Sequence, residues 1–166
     1  MPSHADRVLC NASPIILLSR IDRLDLLEAY AAEILVPERV MAEIRAGEPH
    51  DPSVRRVAGL RGLVCIADVP VPVRLANWAL DDGEAQVLAH ALAGTAGVVI
   101  LDDRAARRVA KILGLAMMGT LGLVAWARTT GVIGQAAPVL EALCRQGIRA
   151  SSHLIDEVLA ELGERR

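Results

Sequence analysis

Four carboxylates stand at positions from which they could act together. Asp102 and Asp103 are adjacent and close the apolar run Gly97-Val98-Val99-Ile100-Leu101. Glu84 follows Asp81-Asp82-Gly83 at the start of a helical pattern, and Glu43 lies in PERVMAEIRAG on a stripe with Val40 and Gly47. Carboxylates gathered at one place repel unless a cation holds them. Hard oxygen ligands with water in the remaining positions suit Mg²⁺ or Mn²⁺. Such a site activates a water and stabilises an in-line phosphoryl transition state. Arg104, Arg107 or Arg108, and Lys111 form a basic stripe just beyond the acids, suited to phosphate contact. Thr120, in Gly119-Thr120-Leu121-Gly122, offers a hydroxyl and free N–H groups at a strand-to-helix turn. Each feature also has a plainer reading. Glu43 is a boundary carboxylate, Glu84 suits a helix dipole, and Asp82 or one of the Asp pair serves as an N-cap. The basic stripe is a solvated face with an Asp103–Arg107 pair, and the Gly119–Gly122 turn is only a connection.

The elements that must carry these residues alternate. Strands are expected at Arg7–Cys10, Glu33–Val36, Gly62–Ala67, Gly97–Leu101 and Leu115–Met118. A run with both faces apolar, such as the fourth, reads as a parallel strand covered on both sides. Ser13 before Pro14 predicts the cap of a first helix, Ile15 to Ser19, and Asp22 the cap of a second. Pro37 opens a helix closed by Gly47, and His50-Asp51-Pro52 is a turn into another, through about Gly59. Val69 to Pro72 is extended, and a helix through Trp78 follows. Later helices are expected at about Leu121–Thr130, Ala136–Gly147 and Ser152–Gly163. The alternation predicts an α/β fold with a short, mostly parallel sheet between helices. A pair of acids at a strand's carboxyl end sits where open parallel sheets place their sites.

Composition narrows the function. At 166 residues the chain predicts one domain, with its core at about 7–150 and a C-terminal helix at about 152–163. No apolar run reaches membrane-spanning length and MPSHADRV has no signal-peptide core, so a soluble cytoplasmic protein is expected. Net charge is −2, with no global basic field for nucleic acid, and Trp78, Trp126 and Tyr30 are too few for a base-stacking platform. Cys10, Cys65 and Cys144 form no CxxC pair and read as small core residues in a reducing compartment. His4, His50, His90 and His153 have no metal-ligand spacing and read as structural or surface. P-loop, GxSxG and GxGxxG motifs are absent.

Taken in order, NASPIILLSRIDRLDLL, VPERVMAEI, DGEAQVLAHAL, VVILDDRAARRVAKILGL and MGTLGLVAWARTTGVI resemble the DUF3368 group of PIN-like domains. The resemblance covers roughly residues 7–160, and its most specific part is the LDDxxAR run leading into GTLG. It implies a PIN-like three-layer α/β/α fold and a metal-dependent ribonuclease of the VapC toxin type. A small antitoxin-like partner and a homodimer are implied as well. By motif, Glu43, Glu84, Asp102 and Asp103 are the expected catalytic and Mg²⁺- or Mn²⁺-binding residues, and Asn11 completes the metal set. Ser13, Arg104, Arg107 and Thr120 are the expected substrate contacts. The departure is Asn11, where PIN nucleases usually carry an aspartate. Its amide offers an oxygen but no charge, which weakens cation binding.

Three readings follow. The first is a Mg²⁺- or Mn²⁺-dependent endoribonuclease acting as a toxin. The second is a catalytically silent PIN-like module that binds a partner protein or nucleic acid, with Leu154, Ile155, Val158, Leu159 and Leu162 available for a dimer interface or for ordinary core packing. In the third, the acids are caps and surface charge on an α/β domain.

Overall fold

The structure, a computed structural model, describes residues 4–46 and 52–165. The expected helix stop at Gly47 and the turn at His50-Asp51 lie outside the described residues. Five strands form one sheet: β1 (Ala5–Cys10), β2 (Ala31–Pro37), β3 (Leu63–Ile66), β4 (Val98–Ile100) and β5 (Met117–Met118). All four pairings are parallel, in the order β3-β2-β1-β4-β5. The strands are built from β-branched and aliphatic residues, and Val8, Leu9, Ile34, Val36, Val99 and Ile100 are fully or almost fully buried. Burial on both faces requires two helical layers, and the helices supply them.

Ten helices surround the sheet among the described residues: α1 (Ala12–Arg20), α2 (Asp25–Tyr30), α3 (Glu38–Ala46), α4 (Pro52–Ala58), α5 (Val73–Ala76), α6 (Asp82–Leu92), α7 (Arg104–Ile112), α8 (Thr120–Thr129), α9 (Ala137–Arg145) and α10 (Ser152–Glu161). Helix α6 packs on β1, β2 and β4 and against α3. Helix α2 packs on β2 and against α8, which carries α9 and α10. The result is the expected three-layer α/β/α fold. Tyr30 and Trp126 meet edge to face in the core, their ring centroids 4.9 Å apart. In α10, Ile155 and Leu159 are buried, whereas Leu154 is exposed. Among the described residues, no helix is long and apolar enough to cross a membrane.

Several boundaries differ from expectation for local reasons. Helix α1 starts at Ala12, so Asn11 rather than Ser13 occupies the N-cap position, and Asn11 makes no side-chain capping bond. Pro14 still falls in the first turn, where its missing N–H costs nothing. Asp22 does not cap α2; it ends α1. Its φ is +58°, its N–H donates to Ser19 O at 3.1 Å, and Arg23 N–H donates to Leu18 O at 2.8 Å. That pattern is a Schellman closure with Asp22 in its left-handed position. Of the cysteines only Cys10 is in the core; Cys65, on edge strand β3, and Cys144, on α9, are exposed. His90 is buried between Ala67 O (3.1 Å) and Thr95 Oγ1 (3.3 Å), a structural role.

Candidate functional site

In a sheet of this order the chain reverses direction between β1 and β4, and ligands of open α/β sheets bind at the carboxyl edge of that reversal. Asn11 directly follows β1, and its N–H donates to Ile100 O at 3.0 Å. Asp102 and Asp103 follow β4 after Leu101. Crossover helices begin at the same edge, so α3 and α6 deliver Glu43 and Glu84 to it.

Helix α6 opens with a capping box. Asp81, not Asp82, is the N-cap: its Oδ1 accepts Glu84 N–H at 2.7 Å, while Glu84 Oε2 accepts Asp81 N–H at 3.1 Å. Gly83 lies between them. A β-carbon there would come within 3.1 Å of Glu43 Oε2, 3.2 Å of Val40 Cγ2 and 3.4 Å of Asn11 Oδ1. The missing side chain therefore lets α3 approach α6 closely and leaves a cradle edged by a carboxylate and an amide oxygen. Asn11 is 5% exposed, and its Oδ1 is buried with no hydrogen-bond partner. A buried acceptor left unsatisfied is costly, which marks this oxygen as one that awaits a donor or a cation.

The electrostatics agree. Burial first, and then Asp81, Asp103 and Glu43, push the Glu84 carboxyl up to about 7, against the opposing Asp81 hydrogen bond. Glu43 keeps much of its surface in water, yet partial desolvation and then Asp81 raise its carboxyl too. Glu84 thus lies amid the negative charges of Asp81, Asp103 and Glu43, and Glu43 beside that of Asp81.

The Asp pair divides. Asp103 caps α7, its Oδ1 accepting Ala105 N–H at 2.7 Å and Ala106 N–H at 3.0 Å. Asp102 turns to the start of α8, where its carboxylate accepts Thr120 N–H at 2.7 Å and the Thr120 hydroxyl at 2.6 Å. Thr120 is fully buried. It therefore braces Asp102 rather than lying open to a ligand. Beneath, burial and the nearby Asp102 charge raise the Cys10 thiol and keep it neutral.

Arg104 and Arg107 line a groove beside Asp102, and Arg107 lies so close to Gly119 that a β-carbon there would collide with its guanidinium. Arg149, from the turn before α10, lines the same groove and approaches Asp103 Oδ2 at 3.9 Å. No Asp103–Arg107 pair is formed. Ser13 is exposed in the first turn of α1, one residue beyond Ala12, with no capping contact. Sequence reasoning passed over Asp81 and Arg149. The first carried a usable signal, the D-x-x-E spacing of a capping box; the second stands alone in its segment and carried none.

Among the described residues, no three of His, Cys, Asp or Glu come together closely enough to cage a metal ion unaided. The donor set instead fits a hard cation that keeps much of its water and takes one or two carboxylates plus an amide oxygen. The orphaned Asn11 Oδ1, the adjacent Glu43 and the Gly83 cradle meet that requirement.

Compared with known families, residues 7–164 match the model of DUF3368, a PIN domain. No curated protein matches the chain.

Proposed function

The chain belongs to the DUF3368 family of PIN domains, and from that premise we propose that it is a metal-dependent endoribonuclease, the toxin half of a toxin–antitoxin pair. PIN domains generally use divalent metal ions. Asn11 and Glu43 would hold Mg²⁺ or Mn²⁺ beside Glu84 and Asp103, and the bound ion would neutralise the acidic cluster and stabilise charge developing on a phosphate. The observation that carries the reading is that the Glu43 carboxylate and an unpartnered amide oxygen, that of Asn11, edge one cradle at Gly83, at the sheet's carboxyl edge.

The chain's own groups divide the work. Glu84, buried among these acids, is the carboxylate placed to accept a proton from an attacking water. Asp102 stays fixed by Thr120 and keeps the edge negative. Arg104 and Arg107 neutralise the RNA backbone on the groove side. Cleavage of single-stranded RNA, run with Mn²⁺ and with a chelator, tests this beside Glu43→Gln, whose exposed position leaves the fold intact. Chelator-sensitive cleavage lost in the variant is expected. Undiminished cleavage in Glu43→Gln would remove this residue set.

A second reading, a silent PIN-like module that binds a partner protein or nucleic acid, is favoured by Asn11, which brings no charge where the family usually has one. Calorimetry with Mn²⁺ separates the two: the silent module takes up the ion weakly or not at all.

A further inference from the structure

Acids crowd the carboxyl edge, yet many of their oxygens are already engaged. Asp81 and Glu84 close the capping box of α6 on each other's N–H groups. Asp103 commits Oδ1 to the first turn of α7, and Asp102 commits both oxygens to Thr120. What edges the Gly83 cradle is one carboxylate oxygen and one amide oxygen. Glu43 Oε2 and Asn11 Oδ1 stand 3.1 Å and 3.4 Å from the point where a Gly83 β-carbon would lie. Asn11 is 5% exposed and this oxygen has no hydrogen-bond partner, so it is an acceptor built into the site rather than a surface amide.

That pair is an incomplete cage for a divalent ion. An amide oxygen coordinates but carries no charge. The direct protein ligands therefore offset only the charge matched by Glu43 and leave one positive charge of Mg²⁺ or Mn²⁺ over. Hard ions of this kind keep several waters and complete their shells with substrate phosphates. A phosphodiester carries the single negative charge that is missing. The residues that would bring it are at hand. Arg104, Arg107 and Arg149 line the groove beside Asp102, and Arg149 approaches Asp103 Oδ2 at 3.9 Å. Asp103 in turn lies near enough for its charge to reach Glu84. An anion on the arginines thus lies next to an ion in the cradle.

We propose that Asn11 makes cation uptake depend on substrate: the cradle holds its ion tightly once a phosphodiester of single-stranded RNA, drawn in by Arg104, Arg107 and Arg149, supplies the negative charge that Asn11 lacks. Ion and RNA then bind with positive coupling, and each strengthens the other by the same factor. The proposal rests on the nuclease reading and deepens it, because it states how the site is regulated: the ion is fully bound only on RNA.

The test measures binding, on the full chain. Mn²⁺ is titrated by calorimetry with and without a short single-stranded RNA, 2′-O-methylated against hydrolysis, and the uptake of Mn²⁺ by the oligomer alone is subtracted. Anisotropy of the labelled oligomer gives the reverse titration. The free protein is expected to take up Mn²⁺ saturably, and the oligomer to tighten that uptake by about tenfold or more. Mn²⁺ should tighten the oligomer by the same factor. Oligomers in which one linkage at a time is an uncharged methylphosphonate should lose the coupling at one position and still bind the metal-free protein. Asn11→Asp should take up Mn²⁺ more tightly without RNA and show a smaller factor. The methylphosphonate series needs no change in the protein, so a variant that fails to fold leaves the proposal open to refutation. Tight Mn²⁺ uptake that the oligomer leaves unchanged overturns the coupling and spares the metal-dependent nuclease. Weak or absent uptake that the oligomer does not strengthen overturns both. Coupling that survives every methylphosphonate overturns the phosphate as the missing ligand, and an unchanged factor in folded Asn11→Asp overturns the role of Asn11. Single-stranded DNA that couples as strongly assigns the effect to phosphodiesters at large and overturns the RNA assignment.

Discussion

Glu84→Gln is expected to stabilise the protein at pH 8 and to change little at pH 5. Burial and its acidic neighbours push this carboxyl from an ordinary 4.5 up to about 7. Folding therefore favours the proton on Glu84. Between about 4.5 and about 7 the native state binds more protons than the unfolded chain, so stability falls as pH rises through that window. A shift of that size corresponds to roughly 3 kcal/mol at full value, and to roughly 2 kcal/mol once solvent on the open side is allowed for. Glutamine removes the charge yet keeps an oxygen for the Asp81 N–H. It gives up a helix-dipole interaction of about 0.5 kcal/mol. The net gain at pH 8 is then about 1–2 kcal/mol, or a rise in Tm of a few degrees for a chain of this length. Urea unfolding of wild type and variant at pH 5 and pH 8 reads the difference directly. A variant destabilised at pH 8, or shifted equally at both values, would refute the idea that the cluster strains this carboxyl.

Three further outcomes are expected. Thr120→Val removes the 2.6 Å hydroxyl bond to Asp102 and leaves a carboxylate oxygen without its charge-assisted donor; urea unfolding should show a loss of about 1.5–3 kcal/mol, largely restored in Thr120→Ser. Gly83→Ala places a methyl in the cradle between Glu43 and Asn11; its stability should stay within about 1 kcal/mol, since crowding and gained helix propensity oppose each other, while calorimetric Mn²⁺ uptake falls. Glu164 accepts Ala136 N–H and Ala137 N–H, both at 2.9 Å, and Arg128 Nε–H at 2.7 Å, fastening the chain's end to the start of α9. Glu164→Ala should cost about 1–2 kcal/mol at neutral pH and speed amide exchange at Ala136 and Ala137. The Ala137 hydrogen bond, with Ala136 and Arg128, holds this carboxyl below its ordinary value. Its contribution is thus present above that range and lost as pH falls through the lowered value, so variant and wild type should converge in acid.

The sheet was legible because its strands carry their own pattern. Val98-Val99-Ile100 and Ile34-Leu35-Val36 are β-branched and apolar on both faces, which only a covered parallel strand accommodates. Helix starts were less legible. Ser13-Pro14 and Asp22 are good caps in isolation, but the chain leaves β1 through extended Asn11 straight into α1, and Asp22 is taken up by the closure of that helix. The short edge strand β5 kept only Met117–Met118 of the expected four residues, because Leu115 is taken up by the closure of α7, its N–H donating to Ala110 O at 2.9 Å.

The site shows why spacing alone could list the acids but not sort them. Whether Asp102 or Asp103 faces the cluster is decided by Thr120, which β5 and α8 bring from a distant part of the sequence. Whether Glu43 reaches Asn11 is decided by the absence of a side chain at Gly83, on a different helix. The plain reading of these acids as caps also proves no rival to the functional one. In a doubly wound parallel sheet every crossover helix begins at the carboxyl edge. Capping residues of α6 and α7 must therefore collect there, and Asp81 and Asp103 do so while capping. Helix-capping chemistry thus supplies three of the four acids, Glu84 included through the α6 capping box. Glu43, whose carboxyl is raised and which takes part in no cap, is the member that capping does not explain. A carboxylate held at a cost to stability, edging the same cradle as an amide oxygen with no partner, is where the functional assignment is strongest.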